Sequence, residues 1–133
     1  MRSYDVTVFD GPLSLNERPT PQPVGEEVLV KITAAGVCHS DIHICDGFYD
    51  LGGGKRLNMG DRGMKLPITM GHEIAGEMVS GGPDAGPVKA GEKGVGFPWI
   101  GCGKCAVCAR GEENLCLQSR FLGVFRNGGY ATH

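Results

Sequence analysis

The chain has 133 residues, of which 41% are apolar and 21% charged, and a formal charge of −2. That is enough for one domain with its own core, and it excludes a disulfide-held miniprotein or a disordered tail. The near balance of charge argues against a nucleic-acid partner or an anionic membrane surface. No apolar run is long enough to span a bilayer, and the opening MRSYDVTVFD lacks the apolar stretch of a secretory signal.

The 23 glycines and 8 prolines disfavour long helices and suit short strands joined by tight turns. Tyr4, Val6 and Val8 alternate, as do Leu13 and Leu15, and both patterns predict strands around the turn Asp10-Gly11-Pro12. Residues 27–34 read as a further strand, closed by Gly36. A helix is expected over 40–45, with Ser40 as its N-cap. Strands follow over 73–80, 94–98, 121–126 and 129–133, and residues 106–115 have room for one or two helical turns. Gly94 and Gly96 should each loosen their strand by about 0.5–1 kcal/mol. Short strands at short spacing with few helices predict a small barrel or sandwich. The last strand runs into His133, an ending expected of an N-terminal fragment.

The 6 cysteines stand in a chain without an export signal, which points to reduced thiols serving metal or catalysis. Cys102, Cys105, Cys108 and Cys116 are spaced by 3, 3 and 8 residues. Four thiolates in tight turns make the closed tetrahedral shell of structural zinc, which leaves no open position for chemistry. A disulfide pair or a redox C-x-x-C accounts for only part of this spacing. Gly101-Cys102-Gly103-Lys104-Cys105-Ala106 formally matches a dinucleotide fingerprint. It lies inside the cysteine cluster with no long helix behind it and is rejected, as is Gly52-Gly53-Gly54-Lys55 as a phosphate loop. The chain therefore shows no nucleotide-binding motif.

A second constellation is Cys38-His39-Ser40-Asp41-Ile42-His43 with Gly71-His72-Glu73. Cys38 and His72 are either two legs of an open zinc site or a buried thiol and a satisfied imidazole. Spacing alone leaves both readings open.

With these motifs in order, Gly36-Val37-Cys38-His39-Ser40-Asp41, Gly71-His72-Glu73-x-x-Gly76 and the four-cysteine run to Cys116, the chain resembles the zinc-containing alcohol dehydrogenases. These are medium-chain dehydrogenase/reductases with a GroES-like catalytic domain. The resemblance spans the whole chain but about the first third of such an enzyme, without the Rossmann cofactor domain. It implies a mainly β, GroES-like, partly open barrel over residues 1–133, with few short helices and a structural-zinc lobe at about 100–117. It also implies oxidation of an alcohol to an aldehyde or ketone by hydride transfer to NAD or NADP, in a cytoplasmic homo-oligomer. The fragment alone is expected to be inactive.

Residue by residue, the resemblance makes Cys38 and His72 ligands of a catalytic zinc and Glu73 an alternating ligand. Asp41 would orient His72, Ser40 would accept the alcohol proton, His43 would pass it to solvent, and His39 would approach the cofactor pyrophosphate. The family's remaining ligand is a cysteine from later in the chain. Cys45 is a poor substitute, because seven helical residues would place it about 10 Å from Cys38. The segment 49–66 is longer than in shorter members. It carries Gly52-Gly53-Gly54 and the charges Asp50, Lys55, Arg56, Asp61, Arg62 and Lys65, and reads either as a solvated loop or as a border of the substrate cleft. The rival readings are a zinc-ribbon binding module and a non-catalytic GroES-like structural domain.

Overall fold

A computed structural model describes all 133 residues. It contains eight short strands, two short α-helices and one 3-10 turn: β1 Arg2–Val6, β2 Ser14–Glu17, β3 Val28–Gly36, α1 His39–Asp46, β4 Phe48–Asp50, β5 Arg56–Asn58, β6 Ile68–Thr69, β7 Glu73–Gly81, β8 Lys93–Gly96, α2 Ala106–Ala109 and the turn Glu113–Leu115. The strands form three antiparallel sheets, ordered β2-β1-β6, β3-β7-β8 and β4-β5. The architecture is mainly β with few short helices and open sheets, as expected of a partly open fold, and the sheets do not close into a complete barrel. No helix is long and apolar enough to cross a membrane.

The β3–β7 pair is the longest, with register shifts between Leu29 and Val30 and between Ile32 and Ala34. Such irregularities bend a strand, and β3 leads two residues later into α1. Helix α1 begins one residue before the expected segment. Its N-cap is Cys38 rather than Ser40, because the Asp41 carboxylate reaches back to accept the Cys38 backbone N–H at 3.0 Å. It ends at Gly47, whose N–H returns to the carbonyls of His43 and Ile44 at 2.9 and 3.2 Å.

Two expected strands are absent. Over 121–126 the carbonyl of Phe121 accepts the N–H groups of Phe125 and Arg126 at 3.0 and 3.2 Å, so the segment folds as a turn and keeps a single bridge, Leu122 to Arg126. Residues 129–133 make only the bridge Ser3 to Ala131. Their hydrogen bonds are instead divided between two sheets. Tyr4 N–H donates to Tyr130 O at 2.8 Å and Thr132 N–H to Arg2 O at 2.9 Å, while Ile32 N–H donates to Thr132 O at 3.0 Å. This segment is the seam between β1 and β3.

The core consists of Val6, Ile44, Met59, Met64, Ile68 and Met70, with Phe9, Cys45, Tyr49, Leu66, Val124 and Tyr130 packed around it. Met59 and Met64 belong to the glycine-rich 49–66 segment, so its root is core rather than wet loop. Its tip is a hairpin, β4–β5, whose strand residue Arg56 sits 3.9 Å over the Phe48 ring. All six charged residues of the segment are exposed. Met59→Ala should therefore lower the unfolding free energy by about 2–5 kcal/mol, while Lys55→Ala should leave it within about 0.5 kcal/mol. Urea unfolding of the two variants measures both, and equal small effects would return the whole segment to the surface.

Candidate metal centres

Two groups of ligand-bearing side chains converge, on separate elements. In the first, the sulfurs of Cys102, Cys105, Cys108 and Cys116 lie within 4.8 Å of one another. Tetrahedral zinc–sulfur bonds of about 2.3 Å require sulfurs about 3.8 Å apart. Cys105 and Cys108 are separated by 3.5 Å, Cys102 and Cys108 by 3.9 Å, and Cys105 and Cys116 by 3.9 Å. All six cysteines of the chain are free thiols, and the cluster fits one zinc ion. The lobe is tethered at its base, where Arg120 N–H donates to Ile100 O at 2.8 Å and Leu122 N–H to Pro98 O at 3.0 Å. There the Trp99 and Phe121 rings meet edge to face at 3.8 Å.

Within the lobe the thiols are unequal. The backbone N–H of Lys104 leads in holding Cys102 down at about 6, and the N–H of Cys108 leads in lowering Cys105. Burial pushes Cys108 up to about 12. Four thiolates crowded together repel, so they lose their last protons only to a cation.

The second group is Cys38, His72 and Glu73, whose ligand atoms also lie within 4.8 Å of one another. Cys38 comes from the turn into α1, Glu73 from the start of β7 and His72 from the residue just before it. The backbone N–H of Ser40 is foremost in lowering the Cys38 thiol, followed by the His72 ring and the Ser40 side chain. Ser40 thus lies against the Cys38 sulfur. Behind His72 sits Asp41, 3% exposed, with Oδ1 3.4 Å from His72 Nδ1. Both of those atoms are buried, and neither makes a hydrogen bond. A ligating imidazole needs such a carboxylate to fix its ring and tautomer, and Nδ1 facing Asp41 leaves Nε2 free as the acceptor. A thiol, an imidazole with carboxylate backing and a second carboxylate are a fitting donor set for zinc.

Two glycines make room for this geometry. A Cβ on Gly36, the ladder partner of Glu73, would collide with the Glu73 carboxylate. Gly71, at φ 91°, lets the Tyr130 ring approach to where a Cβ would stand 2.6 Å from its Cδ1.

The other expected site residues lie on α1. His43 stacks on His39 at 4.7 Å and also meets Tyr49, tilted, at 4.7 Å, and Ser40 and His43 are one helical turn apart. Cys45 is not in the cluster. Its thiol donates to Gly11 O at 3.7 Å, and burial pushes its pKa up. The sequence reading overlooked Tyr130 and Tyr49. Tyr130 donates from its hydroxyl to Asp41 Oδ2 at 2.9 Å. Burial first, and then Asp41, hold the phenol well above its ordinary pKa, so it stays a donor. The signal in the sequence was Gly128-Gly129-Tyr130, a glycine pair admitting close backbone approach beside an aromatic.

The alcohol dehydrogenase GroES-like domain profile matches residues 24–133. The chain belongs to that family. It is 42% identical to an NAD-dependent alcohol dehydrogenase of Sulfurisphaera tokodaii over all 133 of its residues, which are 37% of that relative. It is 34% identical to a D-arabinose 1-dehydrogenase (NADP(+)) of Saccharolobus solfataricus over 94% of its length and 33% of the relative's. The solved alcohol dehydrogenase of Aeropyrum pernix superposes with a TM-score of 0.82 at 27% identity, covering 99% of this chain and 36% of that one. The chain thus spans about a third of the length of these relatives.

For this GroES-like domain, Cys105→Ser should release the lobe zinc and open residues 100–117 to proteolysis, as read by metal content and limited digestion. Because Cys108 must give up its proton to zinc, the lobe's apparent affinity should rise from mildly acidic to mildly basic pH in chelator competition. A zinc content unchanged in Cys105→Ser would overturn the lobe assignment.

Proposed function

We propose that these 133 residues are the zinc-holding catalytic domain of an alcohol dehydrogenase that oxidises an alcohol to an aldehyde or ketone, with NAD or NADP as acceptor. The observation that carries the reading is the second donor cluster. A thiol, an imidazole and a carboxylate converge, with a buried aspartate behind the imidazole, apart from the closed four-sulfur lobe. A structural domain or a zinc ribbon needs one such cluster, not two of different chemistry.

Cys38, His72 and Glu73 would hold the catalytic zinc, and the four lobe cysteines the structural one. When bound, zinc supplies Lewis acidity toward an alcohol oxygen, and the nicotinamide of a neighbouring dinucleotide domain supplies the hydride acceptor. This chain's own residues then handle protons and position. Asp41 holds His72 in the tautomer that leaves Nε2 free. The Ser40 hydroxyl, next to the Cys38 sulfur, takes the alcohol proton, and His43 one turn along α1 carries it to solvent. His39, exposed at the start of α1, faces outward for the cofactor pyrophosphate. The two relatives are an NAD-dependent alcohol dehydrogenase and an NADP-dependent D-arabinose 1-dehydrogenase, so membership of the family leaves both the cofactor and the substrate open to variation.

Metal counting tests the reading. The isolated chain should take up two zinc ions, and mild chelation should leave close to one, since the closed thiolate shell is the tighter. His72→Ala should bind one from the outset. In a protein joining this chain to a dinucleotide-binding domain, Ser40→Ala should lower alcohol-dependent NADH formation by about 10²–10⁴-fold. A single zinc in the unmodified chain, or full turnover without Ser40, would refute the assignment.

A further inference from the structure

We infer that Tyr130 is a positioning residue for the Cys38–His72–Glu73 site, its hydroxyl orienting Asp41 so that one carboxylate oxygen is kept for His72. The inference rests on the proposed metal reading of that site and deepens it.

The two oxygens of Asp41 are used differently. Oδ2 accepts both the Cys38 backbone N–H at 3.0 Å and the Tyr130 hydroxyl at 2.9 Å. Oδ1 faces only His72 Nδ1, at 3.4 Å. The terminal torsion of an aspartate is soft, so the carboxylate plane is set by whatever holds its oxygens. The Cys38 N–H belongs to the same helical turn as Asp41 and moves with it. Tyr130 is the external tie, 89 residues away.

The tie is itself built in. The hydroxyl has one proton and also lies 3.3 Å from Gly36 O; the charged carboxylate at the shorter distance is the stronger acceptor. The Tyr130 backbone is fixed at both ends, with its N–H on Met70 O at 2.9 Å and its carbonyl taking Tyr4 N–H at 2.8 Å. Its ring lies flush against Gly71, the residue before His72. Ring and hydroxyl therefore reach the His72 side of the site by separate routes, through the backbone of Gly71 and through Asp41. Outer partners of ligating histidines commonly carry about 10–100-fold in metal affinity.

Tyr130→Phe separates the two routes, since it keeps the ring on Gly71 and deletes only the hydroxyl. Zinc is titrated out of the chain with a chromophoric chelator, giving a weaker step for the mixed site and a tighter step for the lobe. The expected result is a rise of about tenfold or more in the dissociation constant of the weaker step, with the lobe step unchanged. In an Asp41→Asn background the same substitution should add little, because residues acting through one another are non-additive. An unchanged weaker step, or a full additional effect on top of Asp41→Asn, overturns the inference. Equal weakening or loss of both steps, including by failure to fold, also overturns it in favour of a purely structural role. If the unmodified chain shows the lobe step alone, the metal reading fails and the inference fails with it. If two wild-type steps survive Tyr130→Phe unaltered, only the inference fails.

Discussion

A buried carboxylate organises this domain. Asp41 is 3% exposed, and burying such a group is tolerable only where donors surround it. Its Oδ2 is held by two donors from separated parts of the chain, the backbone of Cys38 at the entry to α1 and the phenol of Tyr130 near the last residues, and its Oδ1 faces the ring of His72 where β6 passes into β7. The housing of Asp41 brings these three together, and Glu73 comes with them because it adjoins His72. Its place in the first turn of α1 adds the favourable end of the helix dipole. The mixed donor cluster is thus a consequence of how one charge is housed.

The four-cysteine lobe rests on a different physical basis. Among residues 100–117 only Cys108 and Cys116 are buried, and Leu115 and Leu117 are largely solvated. So little apolar area leaves the lobe without a core of its own. In the proposed reading zinc bonding is the force large enough to hold it, as in other small metal-dependent modules. The lobe can therefore open without disturbing the Val6–Ile44–Met59 core, to which it contributes no side chain.

What was legible in the sequence was whatever depends on near neighbours. The long strands β3 and β7 announce themselves by apolar content between glycines, and the lobe by the spacing of its cysteines. Helix α1 was found but its cap misassigned. A serine is the better cap by propensity, yet the Asp41 carboxylate three residues on selects Cys38. The 49–66 segment looked like a surface loop because its exposed charges and glycines outnumber its apolar residues. The methionines that root it show their purpose only against Val6 and Ile68, which belong to the other sheet. Residues 129–133 have strand-like composition, but their backbone hydrogen bonds are divided between two sheets, a tertiary arrangement that no local pattern encodes. For the same reason Tyr130 was invisible as part of the site.

That seam links closure of the fold to assembly of the site. The β2-β1-β6 and β3-β7-β8 sheets share no strand, and the segment from Gly128 to Thr132 bonds to both, through Thr69, Met70, Gly71, Tyr4 and Arg2 on one side and Ile32 on the other. The same few residues present the Tyr130 hydroxyl to Asp41 and its ring to Gly71. When the seam is open, Asp41 loses a donor and His72 loses the support of Gly71. Cys38 and His72, which adjoin the paired residues Gly36 and Glu73 at one end of the β3–β7 ladder, keep their spacing through that ladder, but the imidazole and its backing carboxylate lose their outer support. A metal that binds the closed arrangement more tightly than the open one must stabilise closure by the same free energy that closure contributes to its binding. In the proposed reading, the mixed donor cluster and the junction of the two sheets are in this sense one cooperative unit, whereas the four-cysteine lobe stands outside it.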